Sequence, residues 1–502
     1  MKVFFTSKPY GWPTHQVDRG KPGFVEYLES KIMQKLFVAH RLDKTTTGAM
    51  VFAKDLDTAK ALQTAFSEHQ VKKEYLFVTD RDSKQKNISV ESFLEEKDKK
   101  IFSSQDKPAN AFTDFTWLKT FGNFHLWSAI PKSGKTHQIR VHAKEVGLPI
   151  LGDPIYGGSE YPFLLLHSKS LYISEDLQFS APIPKYLDDI SLLENINFAR
   201  AIRAIDDRFF LFNTAPSCLR WLHKEIPWLC VDQLGTHVWY QIFEAQSHIN
   251  ELVSSIHSYL ETTQKIKLSR HVQVMPNRGE APNKKLVTDY GETRWVSEEH
   301  GIRYEFRSDS GSSYGLFLDQ RQNRRWMLEN AKDKRVLNLF CYTGGFSLCA
   351  LKAGAKEVIS VDTSKATLEW LQTNVVLNDF ELGLHKSWAT DARIFLKGSL
   401  NRQQEFDLIV CDPPSFSRGK EGTFRIENDF KELLKACLLV LAKKGTLLFS
   451  TNFEGWQEAD FKEYVEENLP KGFNLERFTS SDVDYEAPNQ NRILKAVFIS
   501  RL

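Results

Sequence analysis

Three short stretches of this chain hold residue types that could do chemistry: HRLDKTTTG at 40–48, VLNLFCYTGGFS at 336–347 and DPPSF at 412–416. In the second, Gly344 and Gly345 stand between an apolar run and a helical one, a place where a tight turn lets backbone approach a ligand closely. Asp362 ends the next apolar run, VISVD, where a carboxylate can accept hydrogen bonds from both hydroxyls of a ribose. That arrangement suits a cofactor built on adenosine. A dinucleotide would need pyrophosphate contacts, and the chain has no GxGxxG to supply them; TDA with Asp391 and then DPPSF follow instead. S-adenosylmethionine is the cofactor this favours. Asp43 in HRLD is ambiguous alone, since an Asp before a turn is commonly a cap or a solvated loop residue.

These residues need elements to hold them. A chain of 502 residues exceeds one ordinary hydrophobic core, so two or three domains are expected. Residues 1 to about 190 mix short strands, broken by Gly and Pro, with helices such as 56–70, where Leu56, Ala59, Leu62 and Phe66 lie near one face. The pattern is α+β. From 301 onward RVLNLF, EVISVD, FDLIVCDPP and GTLLFS read as short apolar strands between helical stretches, the mark of a parallel, doubly wound sheet.

Between these lies a segment from about 193 to 295. WLCVDQLGTHVWYQIF at 228–243 alternates like a hairpin turning near Gly235, and Ile249, Leu252, Val253, Ile256 and Leu260 stripe one helix face. Residues 264–285 are basic and rich in loop formers, suited to binding phosphates or to serving as a solvated linker.

Net charge is only +2, from 66 Lys and Arg against 64 Asp and Glu, so any affinity for nucleic acid must come from local basic faces. The six cysteines show no CxxC spacing and sit in apolar stretches, so neither disulfides nor structural zinc is expected. No segment reads as a signal peptide or a membrane span, and a cytoplasmic protein is expected.

Four ordered segments of the first region, TSKPYGWPTH (6–15), HRLDKTTTG (40–48), KKEY (72–75) and GKTHQIRVHA (134–143) followed by PILGDPIYG (149–157), resemble the RluA-type pseudouridine synthases. The resemblance implies that Asp43 adds covalently to a uridine so that the base can detach, rotate and rejoin through C5. Arg140 would offset the cost of keeping that carboxylate ionised in a closed pocket, and Tyr75 would stack under the base and help remove the displaced proton. Arg41 matches the position linked to base flipping, with a salt bridge or phosphate contact as its plainer reading. His40, His137 and His142 receive no role, and the domain carries no separate RNA-binding domain before it. No cofactor is expected for this half.

YGLFLDQRQNR (314–324), LNLFCYTGGFS, VDTS, TDA and DPPSFSR resemble the 23S ribosomal RNA methyltransferases of the RlmI and RlmK kind. The resemblance implies cofactor contacts from Asn338, Phe340, Tyr342, Thr343, Gly344, Gly345, Asp362 (ribose), Asp391 (adenine) and Asp412. It implies contacts to the target from Asp319, Arg321, Pro413, Pro414, Phe416 and Asn452, with Phe416 able to stack on a flipped base. The RlmI type places a cysteine nucleophile for cytosine C5 after a late strand, in FSCSG. Here that strand reads LLFSTN, with Thr451 and Asn452 in its place, which favours guanine N7.

The expected protein is therefore multidomain: an α+β pseudouridine synthase domain at 1–192, a small α+β middle domain at 193–295 and a Rossmann-like α/β class I methyltransferase domain at 296–502. It would modify RNA twice, with 23S rRNA as the expected partner and tRNA as an open alternative for the synthase half; neither a membrane nor a metal is expected. Cytosine C5 or guanine N2 methylation, and a non-catalytic RNA-binding assembly factor, are the competing readings.

Overall fold

A computed structural model describes the chain except residues 1, 17–21, 99, 213–216, 245–246, 276–285, 289–291, 312, 420–421 and 486–493. Two compact units result, Met1–Asn213 and Thr214–Leu502. The break expected after 192 lies inside the first unit, because the helix Ile196–Phe212 packs there. It buries Ala199, Ile202 and Ile205, Tyr27 donates its hydroxyl to the Leu211 carbonyl at 3.0 Å, and Asp207 accepts the Tyr10 amide at 3.2 Å. The expected middle domain is thus divided, and the remainder of it belongs to the second unit.

The first unit is built on a ten-stranded, mostly antiparallel sheet whose central strands are Thr47–Ala53, Leu166–Ser174, Lys72–Thr79 and Phe124–Pro131. Thr47–Ala53 is buried along its whole length, which explains its unbroken apolar text. It runs parallel to Leu166–Ser174 and starts at Gly48, where φ is +106° and a Cβ would lie 2.1 Å from the Ser168 carbonyl oxygen. Only glycine permits that approach. In the helix Leu56–Ser67, capped by Asp55, Ala59 and Leu62 are buried as the periodicity requires. Leu56 is 60% exposed, however, because it opens the first turn, beyond the edge of the sheet-facing stripe.

In the second unit the strands Cys218–Ile226, Leu229–Leu234, His237–Ile242, Ser269–Val274 and Leu286–Thr288 form one sheet. The 228–243 hairpin is there with Gly235 at φ +69°, and the helix Ile249–Gln264 buries Leu252, Val253, Ile256 and Leu260. The basic stretch expected as a linker is partly sheet: Ser269–Val274 pairs in parallel with His237–Ile242. Its residues 276–285 lie outside the described set.

A seven-stranded sheet follows in the order His385–Ala389, Glu357–Asp362, Arg335–Leu339, Phe406–Cys411, Leu441–Thr451, Lys495–Arg501, Phe473–Ser480. The first five are mutually parallel and the last two antiparallel. The strand order reverses at Arg335–Leu339, so the crevice at the carboxyl ends of that strand and its neighbours is where such sheets bind ligands. All six cysteines are free and buried. No helix among the described residues is long and apolar enough to cross a membrane.

Candidate active sites

Asp43 lies in the turn before Thr47–Ala53, and the KPYGWPT segment fixes both of its neighbours. The Lys44 carbonyl accepts from Lys8 Nζ at 3.1 Å and from the Gly11 amide at 3.0 Å. Leu42 and the Thr14 hydroxyl exchange two hydrogen bonds, at 3.1 and 3.3 Å. The Asp43 side chain is left about a quarter exposed (28%). Arg140 reaches its Oδ2 with Nη1 at 3.4 Å, from the helix Gln138–Glu145. The same guanidinium is gripped by Asp153, Nε to Oδ2 at 2.7 Å and Nη2 to Oδ1 at 2.8 Å. Burial alone would lower the Arg140 pKa; the Asp153 and Asp43 carboxylates outweigh it and raise it.

A cavity of about 940 Å³ is lined by Arg41, Asp43, Lys73, Tyr75, His137 and Arg140 among others. The structure therefore brings together the four residues expected to act in the first half. Tyr75, on the strand Lys72–Thr79, is pushed up to about 12 by burial. Lys73, its neighbour but one, falls to about 8 for the same reason and donates to the Ser133 carbonyl at 2.8 Å. Arg41 is exposed at the rim, free in reach to meet a phosphate or fill a vacated base position. His40 accepts the Val51 amide at 3.1 Å and stacks on Phe66, and His142 bridges Ser92 and Thr113; both are packing residues.

His137 is different. It starts the Gln138–Glu145 helix in a left-handed conformation (φ 54°) and brings Nε2 to 3.6 Å from Asp43 Oδ2. Sequence reasoning set it aside, although the THQIR spacing already placed it one helical turn before Arg140 and hence on the same face. Asp153 was also missed, and the GDPIYG segment that holds it was the available signal.

In the second unit the segment after Arg335–Leu339 turns through Phe340 (φ 55°), Tyr342 (φ 49°) and Gly344 (φ 88°) into the helix Gly345–Lys352. At Gly344 a Cβ would strike Leu371 at 2.6 Å. Asp362 closes this turn: Oδ2 accepts the Tyr342 amide at 3.0 Å and Oδ1 the Ser364 amide at 2.9 Å. Each oxygen keeps a lone pair for a ribose hydroxyl. Asp391 caps the helix Ala392–Asn401 and is gripped by Arg393, at 3.0 and 2.8 Å, which lowers its pKa. Thr343 donates to the Gly315 carbonyl, and the Tyr342 ring packs between Phe317 and Trp370.

Asp412, at the end of Phe406–Cys411, is oriented by a directed chain of donors. Thr479 donates to Asn323 (2.9 Å), Asn323 to Gln320 (2.7 Å), Gln320 to Ser450 (3.1 Å) and Ser450 to Asp412 Oδ1 (2.6 Å). Burial raises the Asp412 pKa, and raises that of Asp319 to about 6 with Asp412 as the next cause. Asp319 Oδ1 is buried with no hydrogen-bond partner among the described residues, an orphan that a bound donor would satisfy. The residues present therefore fit a polar, adenosine-bearing cofactor and a base with N–H groups. Phe416 is 44% exposed, with the Arg418 and Arg425 guanidinium groups over its ring at 5.6 and 5.1 Å. Pro413 is buried, Pro414 exposed, and Asn452 accepts from Ser415 at 3.2 Å.

Two expected contact residues are engaged inside the fold. Arg321 sits in a buried ion cluster, with Nη1 and Nη2 on Asp484 at 3.1 and 3.0 Å and Nη2 also on the Cys218 carbonyl at 2.8 Å. Asn338 donates to Ser347, which continues through Ser360 to His385 across three strands. Both act on the pocket through the framework rather than by touching a ligand. No group of His, Cys, Asp and Glu among the described residues could hold a metal ion.

Residues 2–145 match the family model described as RNA pseudouridylate synthase, and residues 264–488 the one described as S-adenosylmethionine-dependent methyltransferase. Ribosomal RNA large subunit methyltransferase I of Tolumonas auensis is 34% identical over 229 residues, covering 44% of this chain and 57% of the relative. Ribosomal RNA large subunit methyltransferase K/L of Marinobacter nauticus is 33% identical over 197 residues, covering 39% of this chain and 26% of the relative. The chain thus spans little more than half the length of the first and about a quarter of the second. A solved S-adenosylmethionine-dependent methyltransferase from Streptococcus mutans shares the fold, with a TM-score of 0.52 and 23% identity over 61% of this chain and 81% of that one.

Proposed function

We propose that this chain, which joins a domain of the RNA pseudouridylate synthase family to one of the S-adenosylmethionine-dependent methyltransferase family, is a bifunctional enzyme that modifies RNA at two bases. The reading is carried by the convergence of Asp43, Tyr75 and Arg140 on one cavity in a chain that also carries the Gly344 turn closed by Asp362. Large-subunit ribosomal RNA is the proposed substrate, on the names of the methyltransferase relatives. Transfer RNA for the first site is the alternative.

In the first site the C1′–N1 bond of a flipped uridine breaks and a C1′–C5 bond forms, while C5 loses a proton and N1 gains one. Asp43 supplies the carboxylate that adds covalently and is displaced again, and Arg140 keeps it ionised in a closed site. Tyr75, held near 12 by burial, stays protonated at neutral pH, which favours its stacking role over proton removal. Arg41 at the rim would fill the space the base leaves.

S-adenosylmethionine, when bound, supplies an electrophilic methyl group. Asp362 would hold its ribose, Asp391 its adenine, and the Tyr342–Gly345 turn its amino-acid end. Phe416 would stack on the target, and Asp412 and Asp319 would accept hydrogen bonds from it. Positioning then carries most of the work. Guanine N7 is the proposed target. Its lone pair needs no covalent activation, and Thr451 and Asn452 stand where a cysteine nucleophile would, with every cysteine of the chain buried.

The test is incubation of the purified chain with a 23S rRNA transcript and methyl-labelled S-adenosylmethionine, followed by nucleoside analysis. Pseudouridine and 7-methylguanosine are expected. Labelled 5-methylcytosine or N2-methylguanosine would overturn the target atom, and the absence of both products would favour the RNA-binding factor.

A further inference from the structure

The first site contains one group its chemistry leaves without a role. His137 Nδ1 lies 2.8 Å from the Tyr156 hydroxyl, and its Nε2 lies 3.6 Å from Asp43 Oδ2. Tyr156 is buried, with the Arg140 guanidinium 5.0 Å over its ring. Its hydroxyl oxygen also accepts the Ile101 amide at 3.3 Å. That amide can only donate, so the phenolic proton is directed to its remaining partner, His137 Nδ1. A neutral imidazole that accepts at Nδ1 carries its proton on Nε2, the nitrogen facing Asp43. Burial holds the ring neutral, against the opposing pull of Asp43. The charged groups around it are Asp43 from the turn at 43, Arg140 from its own helix, Asp153 from the following loop and Glu96 from the strand Asn87–Lys97.

We infer that His137 is a positioning residue for Asp43: fixed as its Nε2–H tautomer by Tyr156, it converges with Arg140 on the single oxygen Oδ2 and so sets the orientation in which Oδ1 is presented. The inference rests on the isomerase reading of this site. Both contacts to Oδ2, 3.4 Å from Arg140 and 3.6 Å from His137, are longer than strong hydrogen bonds. Catalytic contacts commonly close only when substrate enters, and a movement of under ~1 Å suffices here. The chain of command runs from the Ile101 backbone through Tyr156 and His137 to the carboxylate. Because a backbone amide heads it, the tautomer is set by the fold and not by pH.

The test uses the full chain labelled with ¹⁵N-histidine, the His137 signal being the one lost in His137→Gln. A protonated Nε2 and a bare Nδ1 are expected at neutral pH, with the preference weakened in Tyr156→Phe. A bare Nε2 in the unsubstituted protein would overturn the inference whatever RNA the protein acts on. The second arm is tritium release from a large-subunit rRNA transcript made with [5-³H]uridine. His137→Gln, whose amide nitrogen can replace the Nε2 donor, should keep kcat within about 10-fold, and His137→Ala should lose about 100-fold in kcat at unchanged KM. Equal loss in both variants, or none in either, would contradict the positioning role. If the unsubstituted protein releases no tritium, the isomerase reading fails, and the tautomer measurement decides for His137.

Discussion

Arg140 makes its two-point contact with Asp153, at 2.7 and 2.8 Å, and meets Asp43 only once, at 3.4 Å. The residue expected to serve the nucleophile is therefore held by another carboxylate, buried to 1% exposure. Asp153 also accepts the Ile155 and Tyr156 amides, which ties the loop that carries Tyr156 to the same ion pair. The division of labour has a physical basis: an arginine fixed by one fork presents its remaining N–H to the second carboxylate without losing side-chain freedom at the moment of reaction.

Removing Asp153 should accordingly damage both fold and chemistry. Asp153→Ala leaves a buried guanidinium without its main partner, and breaking such a pair costs about 3–5 kcal/mol. Urea denaturation of the first unit's transition should show a loss of that size. A loss below about 1 kcal/mol would mean that Asp43 or water takes over the pairing.

Asp43→Ala should abolish pseudouridine formation while leaving methyl transfer and the melting transition nearly unchanged, because the side chain is partly exposed and its neighbours are fixed through backbone and Thr14 contacts. Loss of both activities in the same preparation would show that the residue is structural or that the two units are coupled.

Much of this site was legible in the text of the chain. Asp43, Tyr75, Arg41 and Arg140 lie in separate motifs and the fold brings them to one cavity. The contribution of KPYGWPT was not legible, because Lys8, Gly11 and Thr14 act on Asp43 through the flanking carbonyls and amides, which leave no trace in side-chain chemistry. Arg321 shows the opposite failure. A guanidinium beside an Asp in LDQR reads as a ligand contact, yet its partner Asp484 lies 163 positions later, and only tertiary structure reveals that pairing. The strand Ser269–Val274 was hidden for a related reason: its basic text looks solvated, but His271 and Gln273 are buried by the sheet that surrounds them.

Asp362→Ala should weaken S-adenosylmethionine binding. The carboxylate orders the Tyr342 amide and offers the acceptors a ribose needs, and charged hydrogen bonds contribute about 1.5–3 kcal/mol each, or roughly 10- to 100-fold in Kd. Calorimetric titration of the purified chain measures this directly. An unchanged Kd would refute the assignment of the turn as the cofactor site.

Asp319 should make stability fall as pH rises through its titration range. Burial raises its folded pKa to about 6, so between the usual carboxylate value of 3.8 and about 6 the folded chain holds a proton that the unfolded chain has released. Stabilisation from this group is complete below the lower value and is lost on passing the upper one, by on the order of 2–3 kcal/mol. Denaturation of Asp319→Asn from pH 4 to 7 should lack that decline relative to the unsubstituted protein. Parallel curves would mean that Asp319 is solvated in solution.

The most direct measurement is mass-spectrometric nucleoside mapping of ribosomal and transfer RNA, with chemical labelling of pseudouridine, from cells carrying the intact gene, its deletion, Asp43→Ala or Asp362→Ala. The account predicts that deletion removes one pseudouridine and one 7-methylguanosine from large-subunit RNA. Asp43→Ala should remove only the first and Asp362→Ala only the second. RNA unchanged in all three altered strains would contradict it.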